Sequence, residues 1–236
     1  MATQAHQHAP DTRAAEATSD AGAHPRLQWV KPPLQARSHK TLERILDAAE
    51  ALLIERGAEA LTVALVARRA RSSVGSIYAR FANKDALLRS VFERFLDQAR
   101  ATADRAMQPE VWRDATLESV FEQTMAFTVG VFEDRRQLIA ALTIHAAQSP
   151  DMQSIVERLG TTIAERFHQL LVSQGAEIRH PDPARAIKFT TWTLLSTLEA
   201  RTLSTPEASP FSTQEIIAEG MQMFLAYLGL NPTQDR

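Results

Sequence analysis

The sequence predicts an all-α protein, with a small N-terminal helical domain followed by a larger C-terminal helical bundle. Apolar residues recur at intervals of three and four along most of the chain, which is the period of an amphipathic helix. Only 8 of the 236 residues are Gly and 6% are aromatic, a composition that suits helices better than sheets. The hydrophobic fraction of 44% is sufficient for a sizeable core.

Composition also excludes several kinds of site. The chain contains no Cys, which excludes a disulfide framework, a thiolate metal site and a thiol nucleophile. No apolar run reaches the roughly 18 residues that a membrane span needs. The N-terminus has no apolar segment of the kind found in secretory signals. We therefore expect a cytoplasmic protein without a membrane partner.

Residues 1–36 predict a disordered arm with a basic end. The arm is rich in Ala, Thr, Gln, His, Asp and Pro and shows no periodicity, while Arg26 and Lys31 make its end basic. His6, His8 and His24 suggest metal binding only weakly, because no carboxylate or Cys cluster accompanies them. A solvated tail is the favoured interpretation, and no metal or cofactor is expected.

Four helices are predicted in the N-terminal region. Ser38 is expected to cap the first, Gly57 to end it, and Thr62 to cap the second. A break at Arg71-Ser72 precedes a short third helix, and Asn83 caps a fourth that runs to about Met107. The apolar faces of these helices comprise Leu42, Ile45, Leu46, Ala49, Leu52, Leu53, Val63, Val66, Ala67, Ala70, Leu87, Leu88, Val91, Phe92, Phe95 and Leu96.

Longer amphipathic segments follow Pro109. Asp182-Pro183 is a helix start with Pro in the first turn, and Ser212 with Glu215 forms a capping box. The predicted helices span residues 111–131, 135–148, 151–174, 182–203 and 212–228. We expect the last two to form a four-helix seam with a second copy of the chain, through Ala186, Phe189, Thr190, Leu194, Leu198, Ile216, Ile217, Gly220, Met221, Phe224 and Leu228.

Charge is distributed unevenly. Residues 26–84 contain 11 basic and 5 acidic residues, whereas residues 85–236 contain 14 basic and 20 acidic residues. A basic section ahead of an acidic body indicates a polyanionic partner, or simply a solvated basic face. Charge alone leaves both interpretations open.

Two short helices joined by a tight turn, in this basic section, are the ingredients of a helix-turn-helix. The second helix carries Ser73, Gly75 and Ser76, small residues that allow close approach to DNA and offer hydroxyls to phosphates or base edges. Ile77 and Phe81 are expected to face inward. Capping and packing are the alternative roles for the hydroxyl residues.

The stretch "LTVALVARRARSSVGSIYARFANKDALL" resembles the DNA-binding motif of the TetR (tetracycline repressor) family. The resemblance covers about residues 38–90. The positions that match the family pattern are Thr62, Val66, Ala67, Ala70, Ser73, Gly75, Ser76, Ile77, Tyr78, Phe81, Lys84 and Leu87. Two positions depart from it, since Arg71 stands where Gly is usual and Ser72 where an apolar residue is usual.

The resemblance implies a homodimeric repressor that binds double-stranded DNA at a palindromic operator and is released by a small-molecule effector. It divides the chain into an arm (1–36), a helix-turn-helix DNA-binding domain (37–84) and a ligand-binding and dimerisation domain (85–236). The expected DNA contacts are Arg37, Lys40, Arg71, Ser72, Ser73, Val74, Gly75, Ser76, Tyr78, Arg80 and Lys84. The expected effector is apolar or amphipathic.

Candidate ligand-binding residues are the aromatic and Met side chains of the C-terminal domain with two polar anchors, although each is also an ordinary core residue in the alternative interpretation. They are Met107, Trp112, Phe121, Met125, His145, Phe167, Phe189, Trp192 and Thr193.

Catalytic motifs are absent. Glu165 and His168 form a single E-x-x-H pair, whereas a di-iron bundle needs two, and no Walker loop, G-x-S-x-G or H-E-x-x-H occurs. We expect a protein that is not an enzyme. The alternative is an all-helical enzyme or small-molecule carrier whose N-terminal helices only pack.

Overall fold

The computed structural model describes residues 36–205 and 209–230, with side chains from residue 39 onward. The expected arm therefore lies outside the described residues except for Ala36, as does the side chain of Arg37. Within the described part the chain is helical and has no strand, which confirms the all-α prediction. The helices are α1 (Ala36–Ala60), α2 (Val63–Arg69), α3 (Val74–Tyr78), α4 (Lys84–Ala106), α5 (Leu117–Asp134), α6 (Arg136–Ala147), α7 (Pro150–Ser173), α8 (Pro183–Leu203) and α9 (Thr213–Leu228).

Helix α1 differs from its prediction at both ends. It is already helical at Ala36, so the predicted cap at Ser38 is wrong. Gly57 does not end the helix but breaks its geometry, with φ of 74° and ψ of 176°, and one more turn follows. Only Gly adopts this left-handed φ without strain, which explains the residue at the kink. The predicted apolar face of α1 is buried from Leu42 to Leu53.

The remaining predicted caps are confirmed. The side chains of Thr62, Asn83 and Asp182 each accept a hydrogen bond from a backbone N–H in the first turn of their helices. Ser212 and Glu215 form the reciprocal capping box. Caps depend on residues three positions apart, and the local sequence is therefore enough to predict them.

Helix α5 begins later than predicted. Residues Pro109–Trp112 form a 3₁₀ turn, and the helix starts only after Thr116, whose hydroxyl accepts a hydrogen bond from the Ser119 N–H at 3.2 Å. Pro109 favours this separate turn because its ring fixes φ. An open cleft lies beside this turn.

Two buried clusters organise the molecule. The first contains residues of the four N-terminal helices, of α6 and of the start of α7. The residues from α6 and α7 are Leu138, Ile139, Leu142 and Met152. The second joins α5, α7, α8 and α9 around Phe121 and Phe224. The first cluster crosses the expected boundary between residues 84 and 85, so the N-terminal helices pack directly on α6. In the described part of the chain, no helix is both long and apolar enough to span a membrane.

Candidate nucleic-acid interface

The turn between α2 and α3 is tight and strained. The Ser72 N–H donates to the Ala67 carbonyl at 2.9 Å, and the Arg71 N–H donates to the Arg68 carbonyl at 3.2 Å. Among the residues that the structure describes, Arg71 is the non-Gly residue with a positive φ, which is 48°. This left-handed conformation costs roughly 1–2 kcal/mol for a residue with a Cβ. The chain therefore places a strained, exposed arginine directly before α3.

Helix α3 has one buried side and one exposed side. Ile77 within the helix and Phe81, three residues after its end, are 1% and 0% exposed and anchor α3 to the first buried cluster, as predicted. Val74 and Tyr78 are 42% and 52% exposed, and Ser73 and Gly75 are exposed beside them. A short helix held by two fully buried side chains thus presents an outer face of small residues, one aliphatic residue and one phenol.

Gly75 has no structural requirement within the fold. A Cβ at this position would meet only the Ser73 hydroxyl oxygen, at 3.9 Å, and its backbone is helical. Gly inside a helix costs about 1 kcal/mol relative to Ala. Since nothing inside the described residues needs the missing side chain, the open space at Gly75 points outward.

The serine hydroxyls of α3 have partners within the fold. The Ser73 hydroxyl caps the helix by accepting from the Ser76 N–H at 3.0 Å. Arg80 Nη1 donates to the Ser76 carbonyl at 2.8 Å and to the Ser76 hydroxyl at 2.9 Å. A hydroxyl that accepts a hydrogen bond keeps its own hydrogen for donation, so these bonds fix the groups without consuming them. Ser72 is half-buried in the turn.

Lys84 also has an internal partner, which sequence reasoning did not predict. Its Nζ donates to the Ala58 carbonyl at 2.8 Å, and it thereby joins the start of α4 to the turn after the Gly57 kink. The ammonium group has two further hydrogens that remain available. Because Ala58 is 26 residues away, no local pattern could indicate this bond.

Cations around the helix-turn-helix differ in how they are held. Arg69 donates to both oxygens of Glu55, at 2.6 and 2.7 Å, and this hydrogen bonding lowers the pKa of the Glu55 carboxyl. The charge of Arg69 is thus already paired with that of Glu55. Lys40 and Arg71 are exposed, and both remain accessible to an external anion.

The nine candidate ligand-binding residues lie in different parts of the described structure. Phe121 and Phe167 form an edge-to-face pair with centroids 5.2 Å apart, beside Met125 in the second cluster. His145 lies against Phe92, 5.5 Å away, and belongs to the first cluster's side of the molecule. The remaining candidates are half-buried (Met107, Trp112 and Thr193) or exposed (Phe189 and Trp192).

A cleft of about 410 Å³ lies near Trp112, where the 3₁₀ turn meets the end of α7. Gln174 Nε2 donates to the Trp112 carbonyl at 3.1 Å along this junction. The cleft is open and is lined by Pro109, Glu110, Arg113, Ser173 and Gln174. It is therefore not an enclosed apolar site of the expected kind.

Exposed aromatic side chains of α8 and α9 lie beside the half-buried His180, which precedes α8, and we call Phe189, Trp192, Tyr227 and His180 the outer aromatic face. The Phe189 ring lies 6.1 Å from Trp192 and 5.9 Å from Tyr227, and His180 lies 5.0 Å from Tyr227. By contrast, several side chains predicted for the seam are buried within one protomer and unavailable to another. They are Ala186, Thr190, Leu198, Phe224 and Leu228.

Candidate metal ligands do not cluster. Glu165 is exposed and His168 half-buried on α7. Across residues 36–205 and 209–230, no group of three or more His, Asp or Glu side chains is placed to hold a metal ion.

The helix-turn-helix region is similar in sequence to known transcriptional regulators. The model of the bacterial regulatory proteins of the tetR family matches residues 45–91. The HTH-type transcriptional regulator YhgD of Bacillus subtilis is 31% identical over 100 residues, which cover 40% of this chain but only 52% of YhgD, about half of that relative's length. The HTH-type transcriptional regulator UidR of Escherichia coli is 23% identical over 194 residues, covering 81% of this chain and 94% of UidR.

Solved structures share the fold. SmeT, the repressor of the Stenotrophomonas maltophilia multidrug efflux pump SmeDEF, superposes with a TM-score of 0.59 at 23% identity, over 81% of this chain and 93% of SmeT. At this identity the likeness concerns the fold. It extends the match beyond the helix-turn-helix to the C-terminal helices.

Proposed function

We propose that this chain, whose helix-turn-helix region matches the TetR family of bacterial regulatory proteins, is a DNA-binding transcriptional repressor that binds a palindromic operator as a homodimer. In a two-fold dimer the recognition helices lie about 34–36 Å apart, or one turn of duplex. The fold of SmeT, itself a repressor, supports the repressor role. Such a protein acts in the cytoplasm, where the DNA is.

Helix α3 is the proposed recognition helix. Ser72, Ser73, Val74, Gly75 and Ser76 are assigned to base edges in the major groove. Phosphates are assigned to the cations and the phenol around them, namely Arg37, Lys40, Arg71, Tyr78, Arg80 and Lys84. Phosphate contacts position the protein, whereas base contacts specify the sequence.

One observation carries this assignment, namely the open space at Gly75. The fold gains nothing from a glycine there, since a Cβ would meet one atom at 3.9 Å. A rigid helix that omits a side chain on its outermost face allows a duplex to approach the backbone closely. The exposed Val74 and Tyr78 flank that point of approach.

The outer aromatic face is the proposed dimer interface. It consists of aromatic rings that are contiguous across α8 and α9. Other residues of these two helices are packed in the second cluster. Aromatic residues are enriched at the centres of protein interfaces. The seam is thus assigned to Phe189, Trp192 and Tyr227 rather than to the buried residues named above.

We further propose that an apolar or amphipathic small molecule releases the DNA. A ligand shifts a conformational equilibrium only by its differential affinity for the two states, so it must favour a state in which the recognition helices are wrongly spaced. The candidate ligand contacts Phe121, Met125 and Phe167 lie together in the second buried cluster, and this is where we place the molecule in the state that it favours.

Selection of bound DNA from a random pool tests the proposed function. We expect enrichment of one palindrome, whose affinity falls steeply as salt rises because phosphate contacts release counterions. If no sequence is enriched and the residual DNA binding is the same for all sequences, the alternative of a helical enzyme or carrier gains support. Compounds that weaken the selected complex then identify the effector class.

A further inference from the structure

Glu50 of α1 joins α4 and the α5–α6 junction at the place where the DNA-binding helices meet the body of the protein. The carboxylate oxygen Oε2 accepts a hydrogen bond from Arg94 Nη2 on α4 at 2.7 Å, and Oε1 accepts one from Arg135 Nη1 at 2.7 Å. Glu50 itself lies on α1. Arg135 is the single residue that separates α5 from α6. One carboxylate therefore ties the DNA-binding domain to two elements of the body.

Further hydrogen bonds hold the Arg94 side chain in one orientation at this junction. Arg94 also donates to Asp47 at 2.8 Å and to Glu43 at 3.3 Å, so three carboxylates of α1 hold one guanidinium. The side chains of Arg94 and Glu50 are only 11% and 13% exposed. Burial alone would lower the pKa of Arg94, but the hydrogen bonds and charges of Glu50 and Asp47 outweigh burial, so the pKa of Arg94 is raised. The Arg135 guanidinium also lies 5.6 Å from the Phe95 ring centroid.

The contacts of α6 with α1 in the first cluster are apolar and less specific in direction. Leu138, Ile139 and Leu142 of α6 pack against the buried face of α1 in the first cluster. Apolar packing stabilises the contact but is non-directional. Paired hydrogen bonds to one carboxylate demand a particular orientation of both arginines. The clasp, defined as Glu50 with Arg94 and Arg135, is thus a directional contact that can set the angle between α1 and the body, and it reaches the α5–α6 junction as well as α4.

We propose that Glu50 is a positioning residue that fixes the DNA-binding domain on the body and so determines which operator spacing the dimer accepts. This inference rests on the proposed function, because it assumes two recognition helices that engage one palindrome. Glu50 lies inside the protein and touches no DNA in this account. Its effect passes through the orientation of α1, which packs against α2 and α4 in the first cluster.

The consequence is a specific effect on spacing. A dimer with rigidly held DNA-binding domains tolerates little change in half-site separation, and each added base pair moves the half-sites by about 3.4 Å. Releasing the clasp lets the domains adjust. Spacing selectivity should fall while the recognition of a single half-site stays the same, because the α3 surface is unaltered.

The test measures affinity for palindromes whose half-sites are separated by the selected spacing and by one or two base pairs more or less. Wild-type protein should show one sharp optimum, with losses of about tenfold or more away from it, equivalent to 1.4 kcal/mol. Glu50→Gln keeps the shape but replaces one of the two acceptor oxygens with an NH₂ donor, so one arginine loses its acceptor, and the spacing profile should flatten several-fold. Its affinity for an isolated half-site should match that of wild type.

Glu55→Gln is the matched control on the same helix. It breaks the exposed Arg69 pair, which lies within the DNA-binding domain and does not reach the body. This variant should keep the wild-type spacing profile. If Glu50→Gln does not fold, as circular dichroism would reveal, Arg135→Gln provides the second route, since it leaves the bonds between Arg94 and Glu50 in place.

The outcomes separate the two proposals. A flattened profile for Glu50→Gln or Arg135→Gln, with Glu55→Gln unchanged, supports the positioning role. A sharp wild-type optimum that both clasp variants retain overturns that role and leaves the proposed function intact. Wild-type protein that binds no palindrome at any spacing overturns the proposed function and this inference with it.

Discussion

At the scale of single residues, Arg71 combines strain with exposure. Its φ of 48° is a conformation that Gly adopts freely, and the residue lies just before α3. A strained residue inside a packed core would be explained by its packing. Arg71 is exposed, so its side chain gains little from the fold. The strain therefore indicates a role outside the protein, as expected for a phosphate contact.

Arg71→Gly should stabilise the protein and weaken DNA binding. Relief of the left-handed strain contributes roughly 1–2 kcal/mol, and the greater freedom of Gly in the unfolded chain offsets about 0.4–1 kcal/mol of it. Affinity should fall for all sequences alike, because a phosphate contact carries no sequence information. Urea unfolding and DNA titration measure the two effects. Unchanged DNA affinity would contradict the assignment.

His145 makes stability depend on pH. Burial, and then the nearby charge of Arg89, lower the pKa of His145, and Asp85 opposes them only in part. Its Nε2 is buried without a hydrogen-bond partner in the described part of the chain. Below the ordinary pKa of about 6.5, the unfolded chain binds a proton that the folded chain resists. The free energy of unfolding should therefore fall as pH falls.

His145→Gln should remove this contribution. Between pH 7.5 and 5.5, wild-type protein should lose more unfolding free energy than the variant, since the other histidines titrate in both proteins. Chemical denaturation at the two pH values provides the comparison. Equal losses in the two proteins would show that His145 is not the sensitive group.

At the scale of helices, Lys84 joins elements that are far apart in sequence. Its bond to the Ala58 carbonyl fixes the start of α4 on the turn after the Gly57 kink. Its two remaining hydrogens can still meet a phosphate in the proposed function. The residue thus has a structural role that the structure shows and a DNA role that we propose.

Lys84→Ala should reveal both roles. Loss of the internal hydrogen bond should lower the free energy of unfolding by about 1 kcal/mol. Loss of a phosphate contact should weaken binding to all sequences and reduce the salt slope by about 1. Titrations at several salt concentrations, with thermal unfolding alongside, separate the effects. A variant that is less stable but keeps the full salt slope would restrict Lys84 to its structural role.

The helices also show what a sequence can and cannot predict. The inward faces of α1 and α4, and the caps at Thr62 and Asn83, depend on spacings of three and four residues, and all were predicted correctly. The orientation of α8 was not. Its apolar residues occur on more than one side, so periodicity could not separate the buried Ala186 from the exposed Trp192. Long-range partners such as Glu50 and Arg135, 85 residues apart, leave no local pattern.

At the scale of the whole molecule, the DNA-binding helices and the body form one packed unit. The first buried cluster extends from Leu42 on α1 to Met152 on α7, and the clasp lies at the same junction. Movement in the body can therefore reach α3 through packed elements. The outer aromatic face, the proposed dimer interface, lies on the helices of the second cluster.

Trp192→Glu should abolish the dimer without unfolding the protomer. Trp192 is 63% exposed, so a charge is tolerated in the free chain but not in a dry interface. Ile144→Glu, at a residue 55% exposed on α6, is the matched control and should remain dimeric. Light scattering at micromolar concentration reports the mass. A dimeric Trp192→Glu protein would place the seam elsewhere.

Helix α3 should meet DNA at Gly75, and the pair of variants Gly75→Leu and Gly130→Leu tests this contact. Both glycines lie in helices where a Cβ has room, so each variant should fold and gain up to about 1 kcal/mol of stability from helix propensity. Operator titration with circular dichroism as the folding control is the measurement. We predict that Gly75→Leu loses sequence-specific binding while Gly130→Leu binds as wild type does. A folded Gly75→Leu protein that binds the operator normally would show that α3 does not meet DNA at Gly75.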